Sequence, residues 1–140
     1  MTIETGEELH QTLNDFFSKY KINNHKRIAV AISGGPDSMA LAHMLMQNYE
    51  GEIYLLCVNH GLRASAESEI EKIQQWIQKI DNKNISFHVL DWEGDKPDSS
   101  IMEAARFARY DLLNKFCQSN EILALFVGHH QDDQAETFLS

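Results

Sequence analysis

Short, wholly apolar runs alternate with longer stretches of helical apolar spacing along this chain. Residues 7–20 place Leu9, Leu13, Phe16 and Phe17 on one face, which predicts an amphipathic helix. RIAVAI (27–32) is a short apolar run with β-branched side chains and reads as a buried strand. A helical pattern follows at 37–48, with Met39, Leu41, Ala42, Leu45 and Met46 as its apolar members. EIYLLCV (52–58) predicts a second strand. Ser65 or Ser68 caps a helix over 66–80, whose apolar members are Ile70, Ile73, Trp76, Ile77 and Ile80. ISFHVL (85–90) is a third strand, and Ser99 or Ser100 opens a helix to about Gln118. That helix carries Ile101, Ala104, Ala105, Ala108, Leu112 and Phe116 on one stripe. ILALFV (122–127) is a fourth strand, and residues 131–139 read as a last helix.

Strands alternating with helices define βαβ units and a parallel sheet with right-handed crossovers. The strands are apolar throughout instead of alternating, so helices should cover both faces in a three-layer α/β fold. In such sheets a ligand binds outside the carboxyl ends of the strands. Attention therefore falls on residues 33–38, 59–63, 91–98 and 128–133.

The first strand end is SGGPDS, Ser33 to Ser38. Gly34 and Gly35 permit positive φ and close backbone approach, and the loop leads into a helix N-terminus. Its N–H groups make an anion nest, to which Ser33 and Ser38 add hydroxyls, and Pro36 suits the first helical position. A phosphate chain is the natural ligand. The loop is neither GxxxxGK[ST] nor GxGxxG, and it holds no lysine. Charge neutralisation must then come from a metal ion or from distant arginines. Asp37 repels phosphate unless a cation intervenes; an ordinary turn with Asp37 as helix cap is the plainer reading.

The fourth strand end, GHHQDDQAET, packs His129, His130, Asp132, Asp133 and Glu136 together. Asp132 and Asp133 suit Mg²⁺. A helix from Gln131 sets Glu136 three residues from Asp133 and four from Asp132, on a shared face. The histidines can donate to phosphate or to a developing oxyanion. The same residues are acceptable transition-metal ligands, and acids also favour any helix N-terminus. Arg106 and Arg109 lie three apart, off the apolar stripe of their helix, where a solvated surface is the simple expectation.

Composition narrows the picture. The chain has 140 residues, which predicts one domain, and its net charge of −9 argues against a nucleic-acid-binding surface over all of it. No run of about 18 apolar residues is present, and the acidic start has no signal-peptide core. Cys57 and Cys117 lie in separate apolar segments, which predicts two buried free thiols in a cytoplasmic protein. AETFLS stops within a helical pattern and has no cap, so a fragment of a longer chain is expected.

SGGPDS resembles the PP-loop of the N-type ATP pyrophosphatases. Together with VNHGLRASAESE, MEAARFARYDLL and GHHQDDQAETFL, in that order, it resembles the N-terminal catalytic domain of the tRNA(Ile)-lysidine synthase family. The resemblance implies a Rossmann-like fold of the adenine nucleotide alpha hydrolase type over 27–140, with 1–26 as an N-terminal helix and linker. It implies adenylation by ATP of C2 of the wobble cytidine in the CAU-anticodon isoleucine tRNA, with release of pyrophosphate. Attack by the ε-amine of free lysine then releases AMP. On that scheme Ser33, Gly34, Gly35, Pro36, Asp37 and Ser38 hold nucleotide phosphates, and Asp132 and Asp133 hold Mg²⁺. Asp37 and Glu136 meet the lysine ammonium, Arg109 meets its carboxylate or the phosphates, and His129 or His130 meets the adenylated oxygen. Asn59 departs from the aspartate more usual at the second strand end, so no charge-based role is expected of it. Further tRNA-recognising domains are expected beyond this chain. A PP-loop tRNA thiolation enzyme and a non-catalytic ATP-binding module are the competing readings.

Overall fold

The computed structural model describes residues 2–3, 6–22, 25–33, 36–59, 66–92, 101–129 and 134–139. The elements are β1 (Thr2–Ile3), α1 (Gly6–Lys19), β2 (Arg27–Ala31), α2 (Pro36–Asn48), β3 (Ile53–Asn59), α3 (Ala66–Gln78), β4 (Ile85–Asp91), α4 (Ile101–Ser119), β5 (Ile122–His129) and β6 (Gln134–Leu139). The strands lie in the order β1-β6-β5-β2-β3-β4. Strands β5, β2, β3 and β4 are mutually parallel, as the βαβ pattern predicts.

Strand alternation sorts the apolar runs onto two faces. Ile28, Val30, Ile32, Ile53, Leu55, Cys57 and Phe126 pack with Phe16 and Phe17 of α1, Leu41, Ala42 and Leu45 of α2, and Ile73 of α3. Ala29, Ala31, Leu56, Leu125 and Val127 pack with Leu113 and Cys117 of α4 on the opposite face. The result is the expected three-layer α/β fold. One irregularity tunes it: Arg27 pairs with Ile122 but Ile28 with Ala124, which leaves an extra residue on β5. Ile122 therefore falls on the α4 face while Ala124 falls on the other. The buried line of α4 runs through Ala105, Leu113 and Cys117, with Leu112 and Phe116 at its margin.

Two features differ from expectation. Residues 134–139 form strand β6, antiparallel to β5, where a helix is expected from the sequence. β1 then pairs antiparallel with β6 and extends the sheet further. Without β6, β5 presents a row of unpaired N–H and C=O groups at the sheet edge. An isolated helix of about nine residues closes few backbone bonds and is marginal, whereas pairing with that edge satisfies both strands. The sheet is thus parallel at its centre and antiparallel at one edge, a common arrangement in α/β folds.

Helix α1 ends at Lys19; Lys21 follows with a left-handed φ of 54°, and the N–H of Ile22 returns to the carbonyl of Phe17 at 2.8 Å. Among the described residues no helix is long and apolar enough to cross a membrane.

Candidate active site

The order β5-β2-β3-β4 reverses direction between β2 and β5. Connections from β2 lead first to β3 and β4, then back across to β5, so a crevice opens between the carboxyl ends of β2 and β5. Ala31 pairs with Val127 at that end. The two segments richest in candidate chemistry, SGGPDS and GHHQDDQAET, thus leave the sheet from neighbouring strands.

Ser33 and Ser38 close the first loop. The Ser33 N–H donates to Ser38 Oγ at 3.0 Å, and the two hydroxyl oxygens lie 3.3 Å apart. Ser38 is 5% exposed and is the one buried polar residue among the described residues, whereas Ser33 is exposed. Pro36 opens α2, where its missing N–H costs nothing. A buried hydroxyl thus ties the residue after Ile32 to the first turn of α2. The amides of that turn lack helical partners and face the crevice end, the usual setting for an anion. Gly34 and Gly35 lie outside the described residues, as do the side chains of Pro36 and Asp37.

His129 is the last residue of β5 and pairs with Gln134 of β6. His130, Asp132 and Asp133 fall on the connection between these strands, outside the described residues. Glu136 lies in β6 opposite Val127 and Thr2. Glu136 lies in an extended strand, so the helical face expected for it with Asp132 or Asp133 is not formed. No group of three His, Cys, Asp or Glu side chains able to hold a metal occurs among the described residues.

Next along the carboxyl edge, Asn59 pairs with Asp91, and the Trp92 N–H donates to the Asn59 carbonyl at 2.9 Å. Arg109 is half-buried on α4, and its guanidinium carbon lies 5.9 Å from the Tyr110 ring centroid. Burial pushes the Cys57 thiol up to about 11, and the charge of Arg109 offsets part of that rise. Burial alone pushes Cys117 to about 11. Both cysteines are free and buried, as expected, and they lie on opposite faces of the sheet. Sequence reasoning missed the pairing of Tyr110 with Arg106 and Arg109, and the exposure of Phe107. The available signal was aromatic residues lying off the apolar stripe of α4.

A loop of this kind at this switch point defines a class of nucleotide-binding enzyme domain, and the chain belongs to the PP-loop domain family, whose model matches residues 4–140. Particular relatives follow. The chain is 38% identical over 136 residues to the tRNA(Ile)-lysidine synthase of Wolbachia sp. subsp. Brugia malayi (strain TRS), covering 94% of this chain and 31% of that protein. It is 42% identical over 120 residues to the tRNA(Ile)-lysidine synthase of Wolbachia pipientis wMel, covering 82% and 27%. The chain therefore spans about a third or less of the curated relatives it matches. Among solved structures, the U34-tRNA thiolase NcsA from Methanococcus maripaludis aligns with a TM-score of 0.73 at 18% identity, covering 88% of this chain and 45% of that one. The NH3-dependent NAD synthetase from Campylobacter jejuni subsp. jejuni NCTC 11168 aligns with a TM-score of 0.59 at 15% identity, covering 89% and 56%. These two likenesses speak to the fold.

Proposed function

We propose that this domain carries out ATP-dependent formation of lysidine on the CAU-anticodon isoleucine tRNA, in the cytoplasm. The observation that carries the reading is that β2 and β5 are neighbouring parallel strands, one followed in sequence by SGGPDS and the other by the segment with His130, Asp132 and Asp133. The names of the relatives at 38% and 42% identity support the choice of reaction.

In this scheme residues 33–38 hold the β and γ phosphates through backbone N–H groups and the Ser33 and Ser38 hydroxyls. The cytidine C2 oxygen attacks the α phosphorus, the bond to the β-phosphate oxygen breaks, and pyrophosphate leaves. The lysine ε-amine, after losing a proton, bonds to C2, and AMP departs with the former C2 oxygen. Asp37 and Glu136 attract the lysine ammonium and position it. Arg109 takes the lysine carboxylate or a phosphate, and His129 or His130 donates to the oxygen carrying the adenylate. The hard oxygen donors Asp132 and Asp133, next to a phosphate loop without lysine, suit Mg²⁺. That ion supplies neutralising charge for the departing pyrophosphate when bound. As for organisation, residues 27–140 are the catalytic unit, with tRNA-recognising domains lying outside this chain.

Thiolation enzymes of this superfamily generally use catalytic cysteines. The two cysteines here are buried on opposite faces with thiols held protonated, so they cannot act as a pair. A non-catalytic ATP module has no need of the acidic connection after β5.

The test is AMP release from ATP by the full-length protein with unmodified tRNA, with and without lysine. AMP formation that requires both supports the reading; sulfur dependence, or tight ATP binding without turnover, rejects it. Asp133→Ala should abolish pyrophosphate release while the circular dichroism spectrum and melting temperature stay unchanged. Full activity in that variant removes Asp133 from the mechanism.

A further inference from the structure

Helix α4 carries an exposed aromatic surface that the reaction scheme leaves unused. Phe107 is 76% exposed, far more than Tyr20 at 43%, the other exposed large apolar side chain among the described residues. Tyr110, three residues on, shares the helical face of Phe107, and the guanidinium carbons of Arg106 and Arg109 lie 6.0 and 5.9 Å from the Tyr110 ring centroid. One ring thus gathers two cations, and Arg106 is exposed. Asp111, the adjacent acid, is engaged by Lys115 at 2.9 Å, and Glu103 is exposed one turn earlier. On a chain of net charge −9 this is a locally cationic, aromatic patch.

Its place in the fold is informative. α4 runs from the carboxyl end of β4 back to the start of β5, so its first turns lie at the edge of the sheet that holds the candidate active site. Phe107 is about 10 Å along the helix from its start. A protein-docking patch needs contiguous apolar surface, but Glu103 and Asp111 stand one turn before and after Phe107 on its helical face. A duplex needs a long basic track, which the acidic chain does not supply. Single-stranded RNA needs neither: its unpaired bases stack on isolated aromatic side chains while arginines take the flanking phosphates.

We infer that the Arg106–Phe107–Tyr110 surface receives the single-stranded anticodon loop of the RNA substrate, with Phe107 stacking on an unpaired base next to the modified one. The inference rests on the proposed tRNA reading and adds the surface that presents the loop.

The test is titration of a fluorescein-labelled anticodon stem-loop with the protein, in parallel with ATP binding. Phe107→Ala should weaken RNA binding about tenfold or more and leave ATP affinity unchanged, while Phe107→Tyr restores RNA binding. Arg106→Ala should lower the slope of log affinity against log salt by about 0.7, the share of one single-strand phosphate. RNA binding unchanged by Phe107→Ala, equal binding of a fully paired hairpin stem, or no RNA binding by the wild-type protein overturns the inference. Failure of the lysine-dependent AMP assay alongside an intact Phe107 effect overturns the reaction assignment and keeps the platform. The opposite pair of results does the reverse.

Discussion

Ser38 shows how one side chain organises the phosphate loop. Its hydroxyl is buried, yet it accepts the Ser33 N–H and lies within hydrogen-bonding distance of the Ser33 hydroxyl. Ser38→Ala removes the tie across Gly34 and Gly35. Ser33 is exposed, so water can replace the lost partner, and the stability cost should be only about 1 kcal/mol by urea denaturation. ATP affinity should fall more steeply, because Ser33 is no longer held to the first turn of α2. An unchanged ATP Kd would show that the tie does not shape the site. The thiols give a prediction of opposite character. Burial raises Cys57 and Cys117 from 9.0 to about 11, so the folded state disfavours the thiolates. The stability they contribute is whole below pH 9 and is lost as pH rises towards 11. Urea midpoints should therefore decline over that range in the wild-type protein, and decline less in a Cys57→Ala, Cys117→Ala variant. The cysteines should also resist a thiol reagent at neutral pH until the protein is unfolded.

At the scale of elements, the central four strands and four long helices are legible in the sequence for a simple reason. Their apolar residues obey a period set by the element's own geometry, whether RIAVAI buried on both faces or Leu41, Ala42 and Leu45 on one side of α2. The SGGPDS turn is legible on the same grounds, since glycine and proline mark it locally. The end of the chain is different. The carboxylate spacing in QDDQAET suits a helix locally, but whether β5 needs a partner is decided by strand order, which the local pattern does not carry. β1 has two residues, too few to show any period. The burial of Ser38 and the contact of Tyr110 with two arginines also depend on neighbours distant in space or set by rotamer. The β6 assignment makes a direct prediction: Cα secondary shifts over 134–139 should be negative, and amides paired with β5 should exchange slowly. Positive shifts across the segment would replace the strand with the helix and restore the shared face of Asp133 and Glu136.

For the molecule as a whole, the question is whether α1 is an appendage or part of the folding unit. Phe126, fully buried on β5, lies with its ring centroid 5.7 Å from Phe16 and 6.3 Å from Phe17, both edge-on. Phe17 reaches Tyr49 at 5.3 Å, and the Tyr49 hydroxyl donates to the Lys26 carbonyl just before β2. Helix α1 therefore packs directly on β5, one of the two strands that bracket the candidate site, and reaches the start of the other through Tyr49. If it folds with them, Phe16→Ala should cost about 3–5 kcal/mol of global stability, because it removes a buried ring from one shared core. The two tryptophans report on the rest of the core: Trp76 is on α3 and Trp92 follows β4, neither of them on α1. In a cooperative unit their fluorescence transition in urea must move with Phe16→Ala. A helix that frays independently would leave that transition in place and lose only its own helicity. A shifted tryptophan midpoint would mean that the crevice between β2 and β5 takes its rigidity partly from a segment with no residue in the site. Destabilising α1 would then lower ATP affinity without touching a single phosphate contact.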